Sequence, residues 1–188
     1  MPAKQATTPT AVYQLKVSLR DSKPPIWRRL EVLSTTNLAK LHKILQIAMG
    51  WTNSHLHQFH IAGQAYSDPT FELEETANEG RMTLDKLKLQ EKACIQYEYD
   101  FGDDWIHDVL VEKIVSPEPG AHYPRALTGK RACPPEDCGG IWGYAELLEA
   151  IADPKHPDHD EMLEWLDEDF DPEAFDLEAV NAQLHALR

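Results

Sequence analysis

Two alternating segments split by a double proline constrain this chain more than any other feature. Over residues 12–20, Tyr13, Leu15, Val17 and Leu19 alternate with Gln14, Lys16 and Ser18, the period of a strand with one buried face. Residues 21–25 carry turn chemistry, because Pro24 and Pro25 have no N–H to give to a ladder. Alternation resumes over residues 26–33, with Ile26, Arg28, Leu30 and Val32 on one side. The chain therefore opens as an antiparallel hairpin whose apolar face needs a cover. A helix supplies it: Leu38, Leu41, Leu45 and Ala48 recur at helical spacing between the cap candidates Thr36 and Asn37 and a stop at Gly50.

The same reasoning carries the rest of the chain. Residues 55–62 predict a third strand closed by Ala62-Gly63-Gln64, residues 67–81 an acidic loop, and residues 83–87 one helical turn. Residues 93–100 and 105–115, rich in Tyr, Val and Ile, predict a second hairpin around Phe101-Gly102-Asp103-Asp104. Residues 116–140, rich in Pro and Gly, predict one long irregular connection, and residues 144–152, 159–166 and 172–187 predict helices. The expected fold class is α+β: a mixed or antiparallel sheet of two hairpins and a further strand with one packed helix, then a C-terminal helical segment. The expected division is a disordered leader over 1–11 and a single domain over 12–188. Within that domain, 12–115 form the sheet and helix core, 116–142 a loop and 143–188 an acidic helical tail, a size normal for one domain.

Charge and cysteine content limit the setting. The net charge is −14, and it is uneven: residues 1–60 hold eight Lys/Arg against two Asp/Glu, residues 151–188 two against twelve. Phosphate backbones repel such a surface, so nucleic acid is a disfavoured partner, and a basic patch at Lys23, Arg28 and Arg29 is where phosphate would have to bind. The run Asp167, Glu168, Asp169 and Asp171 lacks the glycine and ligand spacing of a calcium loop and reads as a solvated, helix-capping stretch. Three cysteines without a secretory leader suit a reducing compartment, and no apolar run reaches the ~20 residues that span a bilayer. A cytoplasmic protein is expected, with no membrane contact.

Two segments could carry chemistry. In the first, Asp100, Asp103 and Asp104 crowd one turn and His107 follows on the returning strand. Carboxylates so placed can share protons, orient an imidazole or hold a hard cation, so these four are the candidate catalytic residues. Asp is also favoured in turns by geometry alone, and that reading stays open. Alternation turns His107 inward with Trp105, and turns His57 inward beside Phe59 and Ile61 while His60 faces out. If their strands are neighbours, His57 and His107 share a buried polar network with Tyr99 or Asp100. The second segment is Cys133-Pro134-Pro135-Glu136-Asp137-Cys138-Gly139-Gly140. Two thiolates four residues apart supply half of a zinc site, which His122, His107 or Asp137 would complete; a rigid loop with two free thiols is the other reading. The candidate metal ligands are thus His57, His107, Cys133 and Cys138, with a divalent metal as cofactor, and the candidate binding residues are His57, Trp105, Tyr99, Arg28 and Arg29. Residues 139–143 lack the Lys and Ser/Thr of a phosphate-binding loop.

Four ordered motifs carry a family resemblance: Pro24-Pro25-Ile26-Trp27-Arg28-Arg29; Ala48-Met49-Gly50-Trp51 with His55-Leu56-His57-Gln58-Phe59; Tyr99 through His107; and Cys133 through Gly140. Together they resemble the plasmid pRiA4b ORF-3-like family, and the likeness runs from about Val12 to Asn181. The resemblance implies an α+β fold and a bacterial protein associated with plasmids or insertion elements, some members bearing the label "TnpR". It brings no reaction with it. No serine or tyrosine recombinase site is legible in these residues, and members lacking the counterpart of Cys138 weaken a dedicated zinc clamp.

Three readings of function follow. The foremost is a non-enzymatic protein-interaction module that binds a protein partner or itself through its basic head and acidic tail. The alternative is a metal- or acid/base-dependent, hydrolase-like enzyme using the Asp100–His107 hairpin and His57. The third is an accessory factor in DNA transactions.

Overall fold

The computed structural model describes residues 10–166 and 170–187. The expected leader falls mostly on residues 1–9 and the acidic run on Asp167, Glu168 and Asp169, both outside the described residues. The opening hairpin forms as the alternation requires: β1 (Val12–Leu19) pairs antiparallel with β2 (Trp27–Leu33), Leu15 opposite Leu30. Helix α1 (Leu38–Met49) follows. Asn37 caps it by accepting from Lys40 N at 2.8 Å, and Gly50, at φ 109°, ends it by donating to Gln46 O at 2.8 Å. Leu38, Leu41, Ile44 and Leu45 are wholly buried in the core that α1 shares with the sheet.

Strands β3 (His57–Ile61), β4 (Gln64–Ser67), β5 (Thr76–Asn78), β6 (Cys94–Tyr99), β7 (Trp105–Val115) and β8 (Arg125–Lys130) complete one eight-stranded sheet in the order β5-β4-β3-β6-β7-β1-β2-β8. All neighbours are antiparallel except β4 and β5, which makes the sheet mixed. The one-turn helix α2 (Leu84–Leu87) lies before β6, and α3 (Gly140–Ala152), α4 (His159–Trp165) and α5 (Leu177–Ala186) follow β8. The fold is α+β. No helix among the described residues is long and apolar enough to cross a membrane.

Three strands depart from the sequence reading: β4, which pairs back on β3 directly after the Gly63 turn, β5 and β8. The 116–142 loop contains β8, an edge strand invisible to local periodicity because its partners are distant. It pairs with β2, and Asn181 on α5 clasps Ala126 through both its N–H and its carbonyl, at 2.8 and 3.0 Å. The acidic loop over 67–81 contains β5, three residues long and ordered by pairing with β4. In the C-terminal helical segment, Tyr144, Leu147, Ala150 and Leu184 are buried in the body.

Arg28 ties these layers together. Its guanidinium is 1% exposed. It donates to Ala48 O at 2.7 Å and Met49 O at 3.5 Å on the last turn of α1, and to Lys130 O at 3.0 Å on β8, and it lies 4.2 Å from the Phe175 ring. A cation at a helix C-terminus faces carbonyls that have no other donor. Burial lowers its pKa to about 10, so it stays charged at neutral pH.

Candidate functional site

The site grows from the tip of the β6–β7 hairpin. Asp100 ends β6 with φ 57°, a conformation Asp tolerates in turns, and its Oδ1 accepts from Gly102 N at 2.9 Å and Asp103 N at 3.4 Å. Its own N–H donates to Leu56 O at 2.9 Å, which pins the segment leading into β3 against the turn. Asp100 Oδ2 is left facing His55, 3.6 Å from Nδ1.

His55 is positioned by the segment that joins α1 to β3. Asn53 N donates to Gln46 Oε1 at 2.9 Å, and Ser54 N to the Tyr99 hydroxyl at 2.9 Å. The third wall is the loop over 131–139. There Glu136 accepts from Thr52 N at 2.9 Å, from the Thr52 hydroxyl at 3.1 Å and from the Tyr99 hydroxyl at 3.1 Å. Those bonds bring Glu136 Oε2 to 3.6 Å and Asp137 Oδ1 to 3.3 Å from His55 Nε2. One ligand atom each of His55, Asp100 and Asp137 lies within 4.8 Å of the others. His55 Nε2 is buried and makes no hydrogen bond despite two carboxylates beside it.

That spacing is informative. Donor atoms bound to one cation at about 2.0–2.2 Å, with octahedral or tetrahedral angles, lie roughly 2.8–3.6 Å apart. The Asp137 and Glu136 oxygens sit at this separation from Nε2, and Asp100 has further to close. One imidazole with carboxylate oxygens suits manganese or zinc. Asp137 is 73% exposed, so the site has an open side. A cleft of about 440 Å³ lies next to it, lined by Trp51, Thr52, Cys133, Pro134, Glu136 and Trp165.

Only part of the predicted set is here. Asp103 serves α3 instead: its Oδ2 accepts from Gly139 N at 3.1 Å, just before the helix begins. Asp104 is exposed at φ 59°. Trp105 and Tyr99 are core residues, though the Tyr99 hydroxyl reaches Glu136. Arg28 is the buried tie described above, and Arg29 forms a two-pronged pair with Glu112 at 2.6 and 2.8 Å, so neither offers a free cation to phosphate.

The shared network of His57 and His107 does not form, because β6 lies between β3 and β7. Both rings do face inward. His107 Nδ1 lies 3.3 Å from Tyr97 O, and burial lowers its pKa to about 4, which keeps it neutral. His57 stacks on His42, rings 3.4 Å apart and 4° from parallel, and its Nε2 lies 2.9 Å from Glu79 Oε2. His42 is held by the Tyr97 hydroxyl at 2.8 Å and Asn53 Oδ1 at 2.6 Å, with its pKa lowered to about 3, chiefly by burial. These groups knit β3, β6 and α1 together. Cys133 and Cys138 join no three-residue ligand group among the described residues. Burial pushes the Cys133 thiol up and the Cys138 thiol to about 12, far from thiolate character at neutral pH.

The glycines of this loop have packing reasons. A Cβ on Gly143 would overlap the Cys138 carbonyl, and one on Gly140, at φ 69°, would overlap the Asp103 carbonyl. Sequence reasoning missed His55 and Glu136, and weighed Asp137 only as a partner for cysteines. Nothing local marks His55 out, because the carboxylates around it lie 45 and more residues away.

Known proteins share this sequence and this fold. The sequence profile described as plasmid pRiA4b ORF-3-like protein matches residues 11–179. An uncharacterized protein, y4hQ, of Sinorhizobium fredii (strain NBRC 101917 / NGR234) is 39% identical over 180 residues, covering 94% of this chain and 92% of that one. The crystal structure of MM3350, a protein of unknown function from Methanosarcina mazei Go1, superposes with a TM-score of 0.84 at 37% identity, covering 91% of this chain and 98% of that one.

Proposed function

This chain belongs to the plasmid pRiA4b ORF-3-like family, and we propose that it binds a divalent cation between His55, Asp100 and Asp137 and uses it for hydrolytic chemistry. The observation that carries the reading is the buried, unbonded His55 Nε2, facing carboxylates at 3.3 and 3.6 Å. A cation held by His55, Asp100 and Asp137 would supply Lewis-acid activation of a water, with Glu136 beside it as proton acceptor and the neighbouring cleft to receive the substrate. The interaction-module reading has separate support in the exposed Trp142 of α3, taken up below. Of the basic residues offered to phosphate, Arg28 and Arg29 are engaged within the protein, which leaves the DNA reading with Lys23 alone.

Metal analysis of purified protein tests the proposal. One manganese or zinc per chain, lost in His55→Ala and Asp137→Asn and kept in Glu136→Gln, is expected. Metal-dependent cleavage of simple esters or phosphodiesters should fall at least about a hundredfold in Glu136→Gln. Undiminished metal in His55→Ala overturns the site; full metal with unchanged cleavage in Glu136→Gln overturns the role given to that residue.

A further inference from the structure

Helix α3 has the composition of a buried helix but not its surroundings. Its thirteen residues include two charges, Glu146 and Glu149. Both line a groove with His156 and Met162, beside α4. A second side, Tyr144, Leu147 and Ala150, packs into the body. Trp142, 82% exposed, shares the outer side of the helix with Glu146 and Glu149 and borders a cleft lined by exposed Ala145 and by Ile141 and Leu148, which are half-buried against the core. Trp142 is by far the most exposed large apolar side chain among the described residues, and an isolated indole of this kind is what protein interfaces use as an anchor.

The shape and charge of this face specify the occupant. Trp142 stands at the border of a cleft of about 350 Å³ lined by Asp21, Lys23, Ile141, Ala145 and Leu148, so a knob and a hollow lie side by side. A twofold axis between them seats each Trp142 in the cleft of the other copy, the self-complementary arrangement that an isologous dimer requires. The rim carries one acid and one base, Asp21 and Lys23, and neither forms an ion pair among the described residues. Under the same twofold, Asp21 of each copy meets Lys23 of the other. We propose that the outer face of α3, with Trp142 at its centre, is the interface of a homodimer. The proposal is independent of the cation site.

Sedimentation of the full chain over a concentration series tests it. The wild type is expected to dimerise in the micromolar range, and Trp142→Ala to weaken association by at least about thirtyfold with an unchanged far-ultraviolet spectrum and melting temperature. Asp21→Lys and Lys23→Asp should each weaken the dimer, and the two combined should restore it, because a twofold pairs them reciprocally. A chain that stays monomeric up to roughly 100 µM, or a dimer indifferent to Trp142→Ala, overturns the proposal. So does a dimer that the combined exchange leaves as weak as either single one. Docking of a different protein on the same face appears as a monomeric chain in the same experiment.

Discussion

Two side chains separate structural from functional chemistry at the residue scale. Arg28 donates to carbonyls on α1 and β8 from a position that solvent does not reach. Arg28→Met keeps the stem and removes the donors, and should cost about 2–4 kcal/mol in urea unfolding, because the carbonyls are left without partners. Asp137 is 73% exposed and, among the described residues, accepts no hydrogen bond from a backbone N–H, so Asp137→Asn should change stability by no more than about 0.5 kcal/mol while abolishing metal binding. Asp100 does both jobs: Asp100→Ala should lose the metal and, with the bonds to Gly102 and Asp103, about 1–3 kcal/mol. The sequence showed Asp100 as a turn aspartate with a carboxylate to spare. It could not show His55, because its role depends on a 133–138 loop that is held beside it by the Glu136 bonds to Thr52 and Tyr99 and by the Trp51 indole donating to Pro134 O at 3.0 Å.

At the scale of elements, local pattern and distant pairing divide the fold between them. β1, β2, α1, β6 and β7 were legible because each buries one face for long enough to impose its period, as the inward Leu15, Leu41 and Val109 illustrate. β5 and β8 were not, since three- and six-residue edge strands owe their existence to β4, β2 and the Asn181 clasp. The inward turn of His57 and His107 was legible, whereas their adjacency was a question of strand order that alternation does not address. Helix α3 gives the prediction proper to this scale. Gly143→Ala places a methyl group on the Cys138 backbone carbonyl, which cannot swing aside as a side chain could, and should cost more than about 2 kcal/mol in urea unfolding. An ordinary helix glycine replaced by alanine would instead gain stability.

For the whole molecule, the buried histidines set a pH dependence. His107 and His42 have pKa values lowered by burial to about 4 and about 3, against 6.5 for an open chain. Between those limits the unfolded chain binds protons that the native state refuses, so stability rises with pH there. Stability from these two groups is full above pH ~6.5 and declines toward pH ~4 by up to about 1.4 kcal/mol per pH unit for each. Melting temperatures across pH 4–8 should therefore stay level above neutrality and fall steeply in mild acid; a profile flat down to pH 4.5 would contradict the neutral, buried state of both rings. The overall charge of −14 was legible from composition, but not that Arg28 turns inward or that Arg20 and Arg29 pair with Asp108 and Glu112.

The central claim is that His55 gathers carboxylates from two distant loops around a cation. Anomalous diffraction from crystals grown with manganese measures this most directly. The account predicts one strong peak about 2.0–2.3 Å from a ring nitrogen of His55 and from oxygens of Asp137 and Asp100. A peak at Cys133 and Cys138 instead, or none while His55 hydrogen-bonds directly to Glu136, would contradict it.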